Sequence, residues 1–318
     1  IFPIKTYRDA ADHAGKALGN TYIEAEVMPV AMLERIKSAF SVASVGALDT
    51  ALARVRGVKT DYELYWMEKC GQAHDDFIMH TVPALFHEGI SEAQLVGAMQ
   101  HEMSKIGYQG ITRFSHFGTE IVVGQVGFGE NSLYPTSFDG PGGSRGHGAC
   151  APVGGDPGRF LKKGDLVFVD FGFGMKGYHT DRTQVFVWGA EPTDEMVRIH
   201  TACIDVQNRT AAALVPGAIP SKVYGDIMQS LDGDFREGFM GYGEHCVKFL
   251  GHGVGLQIDE WPVIARGFDE PLQENMVIAL EPKKGLKGVG MLGVEDTYVV
   301  TPSGARCLTG GGQAIVKV

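Results

Sequence analysis

Apolar residues recur at helical spacing in some stretches of this chain and at strand spacing in others. The changes between the two divide it into three parts. Residues 1–58 carry a short mixed pattern: a helix near 6–17, an extended Tyr22-Ile23-Glu24 and a helix from Pro29 to about Phe40. A piece of this size holds a poor core alone and is expected to pack on a neighbour or to belong to a larger domain. From Thr60 the signals sharpen. Thr60 with Glu63, and Ser91 with Gln94, are capping boxes that each open a helix. The second helix places Leu95, Met99, Met103 and Ile106 on one face before Gly107 stops it. Residues 125–160 are rich in Gly and Pro with little periodicity, which predicts a long ordered loop over a site. Strand-like runs follow at 166–171 and 178–188, then helices near 193–213 and 221–231, then strands near 276–281 and 292–300. Tight glycine turns rather than crossover helices separate the strands, which favours antiparallel pairing and an α+β fold.

Composition narrows the class of partner. The chain has 318 residues, 44% of them hydrophobic and 21% charged, as in an ordinary soluble globule. A net charge of −10 argues against nucleic acid or an anionic membrane as partner, since both call for a basic surface. Apolar runs fall well short of the roughly 20 residues that span a bilayer. No basic segment leads into an apolar core near the N-terminus, so no signal peptide is expected. Cys70, Cys150, Cys203, Cys246 and Cys307 are odd in number and lack metal-knuckle spacing, and they read as reduced thiols of a cytoplasmic protein. Because the chain opens on Ile1 rather than Met, a longer N-terminal part is expected.

Candidate chemistry gathers at five residues. Asp170 closes the run Leu166-Val167-Phe168-Val169, and Asp181 lies eleven residues on, beyond a turn that includes Gly172, Gly174 and Gly177. His252 sits between Gly251 and Gly253, glycines that allow close backbone approach and unusual backbone angles. Glu281 ends Met276-Val277-Ile278-Ala279-Leu280, and Glu295 enters the run that finishes Tyr298-Val299-Val300. Carboxylates at the ends of apolar strands are costly to bury unless a cation receives them. For the aspartates alone, a turn cap at Asp170 and an Asp181–Arg182 pair are equally good readings. Together, four carboxylates balance two divalent ions, and one imidazole among oxygen ligands suits Mn²⁺, Co²⁺, Fe²⁺ or Zn²⁺. Two such ions about 3.5–4 Å apart can share a hydroxide nucleophile and polarise a carbonyl, so hydrolysis of an amide or related bond is expected.

These residues stand in longer stretches that resemble the creatinase/aminopeptidase, or pita-bread, family of methionine aminopeptidase, aminopeptidase P and prolidase. The stretches are Leu161 to Gly172, Gly177 to Thr183, Gly251-His252-Gly253-Val254-Gly255-Leu256 with Glu260 and Pro262, Ala279-Leu280-Glu281-Pro282, and Val294-Glu295-Asp296-Thr297. The resemblance covers roughly 58–312 and is closest to the prolidase and aminopeptidase P branch. It implies a curved, mainly antiparallel sheet backed by helices over 59–318, with 1–58 as the tail of an N-terminal domain plus linker, in a homodimer. It also implies metal ligation by Asp170, Asp181, His252, Glu281 and Glu295. Asp181 and Glu295 would bridge two ions, and Glu281 would also shuttle protons.

Three positions depart from the peptidase pattern. Where that branch has a substrate-binding histidine seventeen residues before the first aspartate, this chain has Val153. A second histidine, seven after His252, is Asp259, and an arginine two before Glu295 is Gly293. Each loss removes a donor to the scissile carbonyl, typically about 10²–10³ in rate. His147 and His179 are candidate replacements, and Asp259 with Glu260 would favour a cationic group. The leading expectation is an Xaa-Pro-type aminopeptidase or dipeptidase acting on a peptide or small amide. The alternatives are a creatinase-like C–N hydrolase, a dimethylsulfoniopropionate lyase-like enzyme, or a catalytically weak binding protein on the same fold.

Overall fold

The computed structural model describes residues 2–115, 118–136, 138, 140–148, 151 and 153–318. Cys150 of the sequence analysis lies outside them. Contacts divide the chain into one unit holding Ile1–Arg56 and Gly118, and another holding Gly57–Ser115 and Thr119–Val318. In the first unit, strands Ala17–Ile23 and Ser41–Ala47 pair in parallel, with helices Tyr7–Ala14, Val30–Ala39 and Asp49–Gly57 nearby in sequence. Asp49 opens the last of these by accepting the amides of Ala25 and Glu26 at 2.9 and 3.1 Å.

The second unit carries the site, and both capping boxes form there. Thr60 and Glu63 open the helix Asp61–Asp76, which runs on through a π-helical turn at Phe77–Thr81, and Ser91 and Gln94 open Glu92–Lys105. These helices bury Cys70, Phe77, Leu95, Met99 and Met103 against Val126, Phe128, Val169 and Phe171 of a four-stranded sheet. Ile106, expected on the same face, is 42% exposed because the helix has already ended at Lys105.

The centre of that sheet is the hairpin Leu166–Met175 with Tyr178–Val187, paired residue for residue. Its two-residue turn, Lys176-Gly177, has positive φ at both positions (55° and 95°), as a tight hairpin requires. Gly172 and Gly174 thus lie within the strand, not in the turn. Gln125–Phe128 flanks one side antiparallel, and the short Val316–Lys317 pairs in parallel on the other. The expected loop at 125–160 therefore begins with a strand.

A second, five-stranded antiparallel sheet runs in the order Glu260–Ala265, Phe249–Gly253, Val277–Leu280, Asp296–Thr301, Gly304–Cys307. Helices Asp194–Ala213 and Pro220–Gln229 cover it, burying Cys203, Val206, Tyr224 and Ile227 against Leu250, Ile278, Leu280 and Tyr298. Thr183 and Glu295 form a β-bridge that joins the two sheets. The single strand expected over 292–300 is two. Gly290–Gly293 folds back on Lys283–Leu286, and Asp296–Thr301 enters the five-stranded sheet. Gly293 stands at the crossing with φ +131°, and a Cβ there would lie 2.6 Å from Lys283 Cα.

Gly251 and Gly253 keep ordinary φ, so their value is close approach and not unusual backbone angles. A Cβ on Gly251 would collide with the Ala279 carbonyl, and one on Gly253 would sit 2.5 Å from that of Trp261. Gly251→Ala is expected to destabilise by about 1–3 kcal/mol, read as a lower midpoint in urea unfolding. Gly97→Ala, on an exposed helical face where a Cβ meets nothing within 4 Å, should instead gain about 0.5–1 kcal/mol.

Candidate metal centre

Strand alternation sends adjacent residues to opposite faces, and the site is built on that rule. Asp170 and Asp181 come from the two arms of the hairpin, where Asp170 pairs with Thr183 and Gly172 with Asp181. His252 is the penultimate residue of Phe249–Gly253, opposite Ala279 on one side and Val263 on the other. Glu281 leaves the end of Val277–Leu280, and Glu295 comes from the crossing between hairpin and sheet. All five line one cavity, whose walls include Phe114, Phe138, Phe171 and Ile258.

The neighbours of these acids point the other way. Arg182 is buried behind Asp181, bonded to Asp75 and the Thr309 carbonyl and 3.8 Å from Asp296. Asp296, behind Glu295, accepts from Thr309 Oγ1 at 2.9 Å, Gly311 N at 3.2 Å and Gln207 Nε2 at 3.2 Å. Burial pushes its carboxyl up to about 7, against the pull of Arg182. The surface-type pairing of Asp181 with Arg182 therefore does not form. Instead, the Thr297 hydroxyl takes the Asp181 amide at 2.8 Å and reaches its carbonyl at 3.0 Å.

Sequence reasoning overlooked the group at the centre. Lys283 is wholly buried, with Nζ 3.0 Å from Asp170 Oδ2, 3.0 Å from Glu281 Oε2 and 2.6 Å from Glu295 Oε2. Its signal was the spacing: it follows Glu281 by two and so shares its face in extended chain. On the other side, His252 Nε2 lies 3.4 Å from Glu281 Oε1, 3.7 Å from Glu295 Oε1 and 4.0 Å from Asp181 Oδ2. Each glutamate thus turns one oxygen to Lys283 and the other to His252.

Burial drives most of the electrostatics. It raises Glu281 to about 8 and Asp170 to about 6, and it lifts Asp181 well above the usual carboxylate range with the help of Glu295 and Asp170. Burial also disfavours the Glu295 anion, yet Lys283 and His252 outweigh it and hold that carboxyl down at about 2. Lys283 and His252 resist their own burial because the facing carboxylates keep both protonated.

The donors fit a divalent ion on the His252 side. Asp181, His252 and Glu295 each offer a ligand atom within 4.8 Å of the others. Glu295 Oε1 is buried and has no hydrogen-bond partner among the described residues, a costly state that a cation would relieve. His252 Nδ1 lies 3.2 Å from the Gly253 carbonyl and 3.7 Å from Asp259 Oδ1. Donation of Nδ1–H to that carbonyl would leave Nε2 free to bind an ion once the ion has displaced the proton that the facing carboxylates hold there.

The remaining expected residues divide. Asp259 lines the cavity, with its side chain 38% exposed. Gly293 is buried and donates its amide to His200. Val153 is half-buried and His147 exposed in its turn, and neither is a lining residue. His179 is buried away from the cavity, its ring nitrogens 2.8 Å from Gln109 Nε2 and 3.1 Å from the Gly255 carbonyl. Glu260 faces Lys59 at 3.6 Å rather than the cavity. Gln125 was missed. It is the uncharged polar side chain of the wall and comes from the residue paired with Asp170.

Comparison with known proteins bears on the fold and the family. The chain is 27% identical over 278 residues to the Xaa-Pro dipeptidase of Pyrococcus furiosus, covering 87% of this chain and 70% of that one. The prolidase structure from Pyrococcus furiosus superposes with a TM-score of 0.77 at 24% identity, covering 98% of this chain and 81% of that one. An X-Pro aminopeptidase structure from Thermotoga maritima gives 0.77 at 22%, covering 98% and 78%. These likenesses carry the α+β pita-bread fold. A family model described as metallopeptidase family M24 matches residues 66–302, which take in all five acidic and imidazole donors, and the chain belongs to that family.

Proposed function

We propose that this chain is a metal-dependent hydrolase of peptides or small amides that carry a free amine, with Xaa-Pro substrates the first candidates. The observation that carries the reading is the buried, unpartnered Glu295 oxygen aimed at His252, Asp181 and Glu281. A divalent ion there (Mn²⁺, Co²⁺, Fe²⁺ or Zn²⁺) would supply an activated water and a Lewis acid for the carbonyl. The protein does the rest. Glu281, which leaves its strand end to face His252 at 3.4 Å, is suited to accept a proton from the attacking water and return it to the leaving nitrogen. Asp259 at the open end can receive the substrate ammonium, and the aromatic walls exclude water from the scissile bond. Gln125 offers an amide toward the carbonyl in place of the donors absent at Val153 and Gly293.

The family resemblance supports a cytoplasmic homodimer, and no helix among the described residues is long and apolar enough to cross a membrane. The same resemblance supports residues 1–58 as the tail of an N-terminal domain and 59–318 as the catalytic domain.

Glu281→Gln should lower turnover by about 10²-fold or more, measured as release of free amino acid from an Xaa-Pro panel. Near-normal turnover would remove the proton-transfer role. Asp259→Asn should raise KM roughly tenfold for free-amine substrates, the worth of one charge-assisted hydrogen bond, and leave N-acylated analogues unchanged. Turnover confined to betaine-like or other non-peptide compounds would favour the creatinase-like or lyase-like alternatives.

A further test needs no substrate. Because Glu281 rises from 4.5 to about 8 on folding, the metal-free native state binds more protons than the unfolded chain between those values. Stability from this group is therefore present below 4.5 and lost as pH climbs toward about 8. The melting temperature of the metal-free chain should fall over that range, and saturating Mn²⁺ should flatten the slope.

A further inference from the structure

The carboxylate count alone suggests two metal ions, but the cluster already contains a cation. Lys283 Nζ makes three contacts, at 3.0, 3.0 and 2.6 Å, to Asp170 Oδ2, Glu281 Oε2 and Glu295 Oε2. An ammonium has three protons to donate, and these three oxygens use all of them. Glu295 Oε2 also takes the Thr183 hydroxyl at 3.1 Å, so that oxygen is fully engaged. On the opposite side the same carboxylate presents an orphan oxygen, Oε1. The cluster is therefore divided: one half satisfied by Lys283, the other with ligand atoms gathered round His252 and an oxygen that has no hydrogen-bond partner.

The backbone holds this division in place. Lys283 begins the hairpin strand Lys283–Leu286 and pairs with Gly293, where any Cβ would press on Lys283 Cα. Its side chain is wholly buried, with Nζ 5.9 Å from the centroid of the Phe168 ring. An ion ligated by Asp170 and Glu295 Oε2 would need metal–oxygen distances of about 2.0–2.2 Å, inside the volume the ammonium fills.

We propose that the Lys283 ammonium takes the place of a second metal ion on the Asp170 side. The chain then works with one divalent ion, held by Asp181, His252, Glu281 and Glu295. Asp170 becomes a partner of the lysine instead of a metal ligand. The inference rests on the metal-hydrolase reading above and deepens it.

The test counts ions without reference to activity. Wild-type chain titrated with Mn²⁺ by calorimetry should saturate at one ion. Its electron paramagnetic resonance spectrum should show the hyperfine pattern of isolated Mn²⁺. Lys283→Met, with its fold checked by circular dichroism, should saturate at two ions and acquire the exchange coupling of a neighbouring pair. Lys283→Gln serves the same purpose should the methionine variant not fold. Two coupled ions in the wild type would overturn the proposal, as would a folded neutral variant that still stops at one. No bound ion in any of these proteins would instead overturn the metal-hydrolase reading itself.

Discussion

Four carboxylates share one cavity wall here, and no fold tolerates that arrangement without cations among them. Lys283 is the one the chain supplies for itself. It draws Asp170 from the hairpin, Glu281 from a strand end of the second sheet and Glu295 from the crossing onto a single nitrogen. Those three residues lie in elements that otherwise meet through the Thr183–Glu295 bridge. The ammonium thus ties the two sheets together at the point where the chemistry is placed. In a buried setting, such a network is stable only when each member is paired, because a single unpaired charge costs more than a paired one contributes.

The opposite face answers with its own network. Alternation puts Arg182 behind Asp181 and Asp296 behind Glu295, so two of the four acids are backed by a residue of the rear cluster. Arg182 reaches Asp75 on the long helix, and Asp296 is held by Thr309, Gly311 and Gln207. The front residues need fixed positions because a ligand set displaced by an ångström loses its function. Fixing the backbone from behind achieves this without spending cavity space on supports. Thr297 does the same for the Asp181 backbone.

Much of this could be read from the chain, for identifiable reasons. Capping boxes at Thr60 and Ser91 act locally, and both form. That Asp170, Asp181, His252, Glu281 and Glu295 would share one cavity was legible because charge at the end of an apolar run has few innocent explanations. The strand over 292–300 was misjudged because Gly293 hides a change of sheet inside one strand-like stretch, and periodicity does not register φ. His179 was drawn in by its two-residue offset from Asp181. That offset fixes a strand face but not how far along the face the cavity extends. Lys283 escaped notice because a lysine near acids reads as surface. Only the fold brings Asp170 and Glu295 around it.

The departures at Val153, Asp259 and Gly293 take on a different meaning beside Lys283. Gly293 is the hairpin partner of Lys283, and its backbone leaves no room for a side chain there. The missing arginine and the inserted lysine are thus two aspects of one local arrangement: a large cation opposite Lys283 would collide with the strand that delivers it. The positive charge of the cluster instead lies among the carboxylates, on Lys283. In the proposed function, recognition falls to Asp259, which lines the cavity and presents a negative charge instead of a donor. On that proposal, a substrate held there by its amine would need less help at its carbonyl, and Gln125, beside Asp170 in the wall, would be the group to give it.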